Sequence, residues 1–219
     1  MTASGRTRYD KLAGTAGIAA MLLLLVGFLA PGAPPKANDS AKQVTAFLVD
    51  NRGALLAGSF LIGLGSAVFL LWVSGVRRRL LDAGAERVLA DAAFAAGAVA
   101  AALNLTGSAI TAGTAFEAAG LGDATLNRAL FDTATDVFTI AGFAIAVLFV
   151  TVAASAASGA AFPRWVSTAG YVAAGLQVVS CVALFAKSGF FAAGGAFTLL
   201  AFATAVLWGI GVSAAMVRT

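Results

Sequence analysis

The chain has 219 residues, 60% of them hydrophobic and only 11% charged, with a formal net charge of +4, no histidine and one cysteine. Water-soluble domains carry about 25% charged residues, so the composition excludes an ordinary soluble domain and describes a chain whose solvent is lipid. Without histidine, haem, most zinc or copper sites and a histidine-assisted nucleophile are disfavoured, and one cysteine allows no disulfide within the chain.

Residues 1–13 are polar and contain Arg6, Arg8 and Lys11. The first apolar run, Gly14 to Ala30, is close to the shortest that spans a bilayer. Its basic start and Ala30-Pro31-Gly32-Ala33 end also fit a cleaved signal peptide. A cut after Ala30 or Ala33 would place Pro31 or Pro34 directly behind it, so the run is read as a retained helix. Pro31, Pro34 and Pro35 end it. Within the polar stretch 32–51, Ser40 to Val49 predicts a short amphipathic helix with Ser40 as N-cap and Val44, Phe47 and Leu48 on one face. That helix is expected to cover the mouth of a bundle.

The second span covers about 53–76, and Gly58, Ile62, Gly65 and Phe69 share one of its sides, where glycine permits close helix approach. Arg77, Arg78, Arg79 and Arg87 follow and are read as a cytoplasmic stop signal, not as a nucleic-acid or anionic-lipid site. The third span, about 88–112, represents about 37 Å of helix. Ala93, Gly97, Ala101, Asn104, Ser108 and Thr111 recur at spacings of three and four and form one stripe. Small side chains with an amide and two hydroxyls predict a helix buried within the bundle. Beyond it, Gly120-Leu121-Gly122-Asp123 matches the GxGD string of intramembrane aspartyl proteases, which need a second aspartate facing the first. Asp91 is expected at the opposite membrane face, so the string is not read as catalytic.

The fourth span covers about 135–157, on a helix that begins earlier. There Arg128, Asp132 and Asp136 are spaced by four and share a side. They are read as a solvated helix extension, with an acidic rim at a pore or vestibule as the sharper alternative. A turn from Ser158 to Arg164 precedes the fifth span, about 165–186, which Trp165 opens at interface depth. On it Gly170, Ala173, Ala174, Gln177, Ser180 and Cys181 share a face. A tight Ser188-Gly189 turn then leads to the sixth span, about 190–216, with Trp208 near its inner end. The third and fifth helices are expected to touch, with Asn104 and Gln177 pointing into the bundle and reaching each other or a shared group. No repeat relates the two halves, so an inverted-repeat transporter is not indicated.

Alternate loops hold Arg6, Arg8, Lys11, Arg77, Arg78, Arg79, Arg87, Arg164 and Arg218 on one side, against Lys36, Lys42, Arg52, Arg128 and Lys187 on the other. The bias places both termini in the cytoplasm and the chain in the plasma membrane. No CxxC, HExxH or GxxxxGK[ST] string occurs, and no lysine lies mid-span. Cys181 reads as a small buried residue.

Two short strings, Ala129-Leu130-Phe131-Asp132 and Phe162-Pro163-Arg164-Trp165, sit ahead of the fourth and fifth spans. Through them and its layout the chain resembles small bacterial six-helix membrane proteins catalogued as an uncharacterised domain family. The resemblance implies a shared fold and no particular activity.

The expected molecule is therefore all-α: a single polytopic domain, a transmembrane bundle of six helices with both termini cytoplasmic. The expected function is a non-enzymatic structural or accessory role, with no cofactor and no metal. Membrane lipid, a membrane-protein partner or a second copy of the chain are the expected partners, and nucleic acid is not. The alternative is a small-solute or ion carrier or channel with a polar path along the third and fifth helices. Its candidate residues are Asn104, Ser108, Thr111, Gln177 and Ser180 inside, and Arg128, Asp132 and Asp136 at the outer rim.

Overall fold

A computed structural model of the chain describes residues 3–157 and 159–218, apart from the side chains of residues 3–7 and 119–121. Ser158, the expected start of a turn, and the side chain of Arg6 lie outside the described residues. Seven α-helices follow one another: α1 (Ala3–Leu29), α2 (Ala41–Asp50), α3 (Arg52–Asp82), α4 (Arg87–Leu121), α5 (Ala124–Ala156), α6 (Arg164–Ser180) and α7 (Ala196–Val217). A 3-10 turn, Cys181–Phe185, extends α6. Six segments are long and apolar enough to cross a membrane, in α1, α3, α4, α5, α6 with its 3-10 turn, and α7. The protein is an all-α multi-pass membrane protein.

The six long helices close into a ring. α1 packs on α3, α3 on α4, α4 on α5, α5 on α6, α6 on α7, and α7 returns to α1. Successive spans alternate in direction, so both termini emerge on one face of the bundle, and α2 lies at the other face. We call these the terminal face and the α2 face.

Close approach between helices is set by glycine. A Cβ on Gly97 of α4 would lie 2.5 Å from Val73 of α3, and one on Gly107 would lie 2.8 Å from the Phe138 ring of α5. A Cβ on Gly170 of α6 would lie 2.9 Å from that of Ala153 on α5. The stripe read from the third span is buried at Ala93, Gly97, Ala101 and Ser108, while Asn104 and Thr111 are half-buried.

The α2 face is built by capping. Ser40 accepts from the Gln43 amide and Gln43 returns a bond to the Ser40 backbone, a capping box that starts α2 as the sequence predicts. Val44 and Leu48 of α2 are fully buried against Leu55, Ala115 and Ala118. Asp123 caps α5, its carboxylate accepting from the amides of Thr125 and Leu126. That is the role of the GxGD string. Asp91, near the other end of α4, is bonded to Arg77 at 2.7 Å instead, about 45 Å away along the helix.

The last span departs from its expected start. Residues 186–195 form a longer connection, with Gly189 and Gly194 at positive φ and Gly195 extended ahead of α7. Helix cannot continue through those left-handed positions, so α7 begins at Ala196.

Candidate functional site

Six helices in a ring leave a centre to be filled. On the terminal side it is filled by aromatic side chains: Phe69 and Trp72 of α3 (ring centroids 5.2 Å apart), Phe149 of α5 and Trp208 of α7 (4.4 Å). Trp72 and Trp208 meet edge to face at 6.5 Å. Trp208 is only 3% exposed and donates from Nε1 to the Val166 carbonyl, so it belongs to this floor and not to a membrane interface.

Above that floor the centre is empty. A cavity of about 580 Å³ extends from Phe69, Trp72 and Phe149 toward the α2 face, where Pro31 to Pro34 and the Ala193-Gly194 turn border it. Its volume falls within the range of about 300–1,000 Å³ common for small-molecule pockets. Among the described residues, no Asp, Glu, Lys or Arg lines it. Near the α2 face, Leu29 at the end of α1 and Leu199 at the start of α7 line the cavity and are also 57% and 53% exposed. Gly32, Ala33, Pro34 and Gly194 also line it and are exposed, so the exposed part of its wall lies at the α2 face. The α1–α7 seam is tight toward the terminal face, where a Cβ on Gly209 would lie 2.7 Å from Met21. Toward the α2 face an aromatic contact bridges it: Phe28 meets Phe202 at 5.2 Å and Phe138 at 5.0 Å, all three lining the cavity.

The predicted polar residues divide into three groups. Asn104 and Thr111 of α4 and Gln177 and Ser180 of α6 all line the cavity. Ser108 is buried without a hydrogen-bond partner and does not reach the wall. Arg128, Asp132 and Asp136 are not in the wall either. Arg128 bonds Asp132 at 2.6 Å and also donates to the carbonyls of Ala37 (2.6 Å) and Asp39. It is a strut under the 31–39 loop, while Asp136 is exposed.

Asn104 and Gln177 point into the bundle, but they do not belong to touching helices. α5 stands between α4 and α6, and the two face each other across the cavity. Their heights match. Phe138 packs on Gly107; Asn104 is three residues from Gly107 and Gly142 four from Phe138, both toward the terminal face. Asn104 and Gly142 therefore lie within about 2 Å in height. A Cβ on Gly142 would lie 3.4 Å from Gln177 Oε1, which brings Gln177 to the same level. The Gln177 amide nitrogen donates to the Ala201 carbonyl of α7 at 3.0 Å, bridging the most lightly packed seam of the ring. Asn104 makes no side-chain hydrogen bond among the described residues.

Most of the remaining hydroxyls of the wall are committed. Thr111 donates to Gly107, Thr135 to Phe131, Thr139 to Thr135 and Ser180 to Gln177, each to a backbone carbonyl. Such bonds satisfy a hydroxyl within its own helix. Ser59, about two turns nearer the α2 face, is the one lining hydroxyl besides these that bonds to no described group.

Among the described residues no group of three or more Cys, Asp or Glu side chains is placed to hold a metal ion. No family model, no curated protein and no solved structure matches the chain.

Proposed function

We propose that this protein is a non-enzymatic binding protein of the plasma membrane, holding an uncharged, mostly apolar ligand inside its six-helix ring. The observation that carries the reading is a cavity of about 580 Å³ whose wall contains no charged side chain. An ion or charged solute entering it would lose its hydration without a counter-charge, which costs several kcal/mol. Intramembrane ion paths are commonly marked by ionisable residues, and this wall offers amides and hydroxyls only. The exposed part of the wall, from Leu29 to Pro34 and at Gly194 and Leu199, carries no charged side chain among the described residues, which favours entry of a membrane-dissolved molecule over a water-borne one.

The orientation belongs to the same proposal. Basic residues concentrate on the terminal face, so the termini are cytoplasmic and the cavity opens toward the outer leaflet. The functional partner is membrane lipid, with an accessory role toward a neighbouring membrane protein or a second copy of the chain.

Native mass spectrometry tests the reading. Protein released from nanodiscs that contain a cellular neutral-lipid extract should carry a bound neutral adduct. Filling the cavity with Ala205→Phe should remove that adduct while the protein stays folded. An adduct-free wild-type protein, or equal adducts on both, would overturn the proposal.

A further inference from the structure

We propose that Asn104 and Gln177 form a recognition site for a hydroxyl group, so that the cavity selects a neutral membrane alcohol. The inference rests on the reading of the cavity as a ligand site and adds the chemistry of the ligand.

An amide in an apolar cavity is costly unless its hydrogen-bonding groups are met. Asn104 offers two N–H donors and a carbonyl acceptor, and no described group meets any of them. Opposite, one N–H of the Gln177 amide donates to the Ala201 carbonyl at 3.0 Å. That bond fixes the side-chain orientation and leaves Oε1 as an acceptor on the cavity level of Gly142. Of the lining hydroxyls, Thr111, Thr135, Thr139 and Ser180 donate to their own helices, and Ser59, nearer the α2 face, bonds to no described group.

The unmet groups at this level are the Asn104 N–H₂, the second N–H of Gln177 and two amide oxygens, with the Ser59 hydroxyl nearer the α2 face. A ketone, ester or quinone supplies acceptors alone and would leave both oxygens unpaired. A carboxylate or ammonium would bring charge into a wall that has no counter-charge. A hydroxyl accepts from Asn104 and donates to one amide oxygen, so it alone of these groups meets both an unmet donor and an unmet acceptor without bringing charge. Apolar wall lies on either side of this level, down to Trp72 and Phe149 and up to Phe28 and Leu29. The hydroxyl then belongs to a molecule whose remaining surface is hydrocarbon: a long-chain or polycyclic alcohol of the bilayer.

The test uses a matched series of probes on the full-length protein: hexadecane, hexadecyl methyl ether and hexadecanol. Each is partitioned between protein-loaded and empty phosphatidylcholine nanodiscs, which cancels uptake by the bilayer itself. The wild-type protein should bind hexadecanol about tenfold more tightly than hexadecane, with the ether, which accepts but cannot donate, in between. Asn104→Leu should retain hexadecane binding and lose the preference for the alcohol. Because the probe series is read on the wild-type protein, the result does not depend on that variant folding. Equal binding of all three probes, or a preference unchanged in Asn104→Leu, would overturn the hydroxyl site while leaving the cavity as an apolar pocket. Binding of none of them would overturn the cavity reading itself.

Discussion

Gly27 of α1 and Gly58 of α3 meet backbone to backbone. A Cβ on Gly27 would lie 2.9 Å from the Gly58 carbonyl oxygen, and one on Gly58 would lie 2.6 Å from that of Gly27. Each residue is a glycine because the other helix occupies the place of its side chain. This crossing sits beside the cavity, whose lining includes Gly27, and it fixes the distance between two of its walls.

Gly58→Ala should force α1 and α3 apart. Overpacking of this kind costs about 1–3 kcal/mol, and the obstacle is backbone, which cannot rotate away. The unfolding midpoint in detergent should fall accordingly. Gly63→Ala, one helix turn further along α3 with only Leu105 at 3.8 Å, should leave it unchanged. Equal effects at the two positions would contradict the crossing.

Much of this packing was legible in the sequence. Gly58 and Gly65 shared a predicted side with Ile62 and Phe69, and that side does bury against α1. Asn104 and Gln177 were legible as inward-facing, since three- and four-residue spacing follows directly from helix geometry. Their relation was not. Periodicity says which face of a helix is buried but not which helix it meets, so nothing in the sequence placed α5 between α4 and α6. The cavity was hidden for a similar reason: its wall combines residues from all six long helices, and a void has no residue of its own. The burial of Trp208 was not legible either: the sequence places it near the inner end of its span, and only the fold brings its Nε1–H to the Val166 carbonyl inside the bundle.

Arg128 is predicted to matter more than the acidic residues beside it. It holds the carbonyls of Ala37 and Asp39, tying down the proline-rich loop that borders the cavity. Arg128→Met should make residues 31–39 several-fold more susceptible to limited proteolysis with little change in the helices. Asp136→Asn, on an exposed side chain, should behave as wild type in the same digestion. Protection of the loop in Arg128→Met would remove the strut.

Ser108 offers the opposite kind of change. Its hydroxyl is buried without a partner, so it contributes a desolvation cost and no bond. Replacing it with alanine should leave stability unchanged or raise it by up to about 1 kcal/mol. A clear loss of stability in thermal unfolding would show that the hydroxyl has a partner in the membrane.

Topology is testable at two exposed positions whose side chains make no capping bond. A cysteine at Lys42, on α2, should react with a membrane-impermeant thiol reagent added to intact cells. One placed at Glu86, in the turn between α3 and α4, should react only after the cells are opened. Cys181 is buried and should not contribute to either signal. Labelling of Glu86→Cys from outside would invert the orientation and put the cavity opening in the inner leaflet.

The floor of the cavity supplies the last prediction. Trp72 has no exposed surface, and its Nε1–H has no hydrogen-bond partner. The indole lies against Gly17 of α1, where a Cβ would sit 2.6 Å from Nε1. Gly17→Ala therefore has to displace the indole. The side facing α1 and α7 is packed, with Ser213 also against Gly17, and the free volume next to Trp72 is the cavity it lines. The ring should tilt that way, lowering both stability, by about 1–3 kcal/mol, and the amount of bound ligand. Trp72→Phe removes the orphan N–H, one of the two ring atoms against Gly17, and leaves a smaller ring. Combined with Gly17→Ala it should be less destabilised than the two single changes summed, by about 0.5–3 kcal/mol in a double-mutant cycle. Strict additivity in that cycle would show that Gly17 and Trp72 are not in contact, and that the floor is closed by something other than this pair.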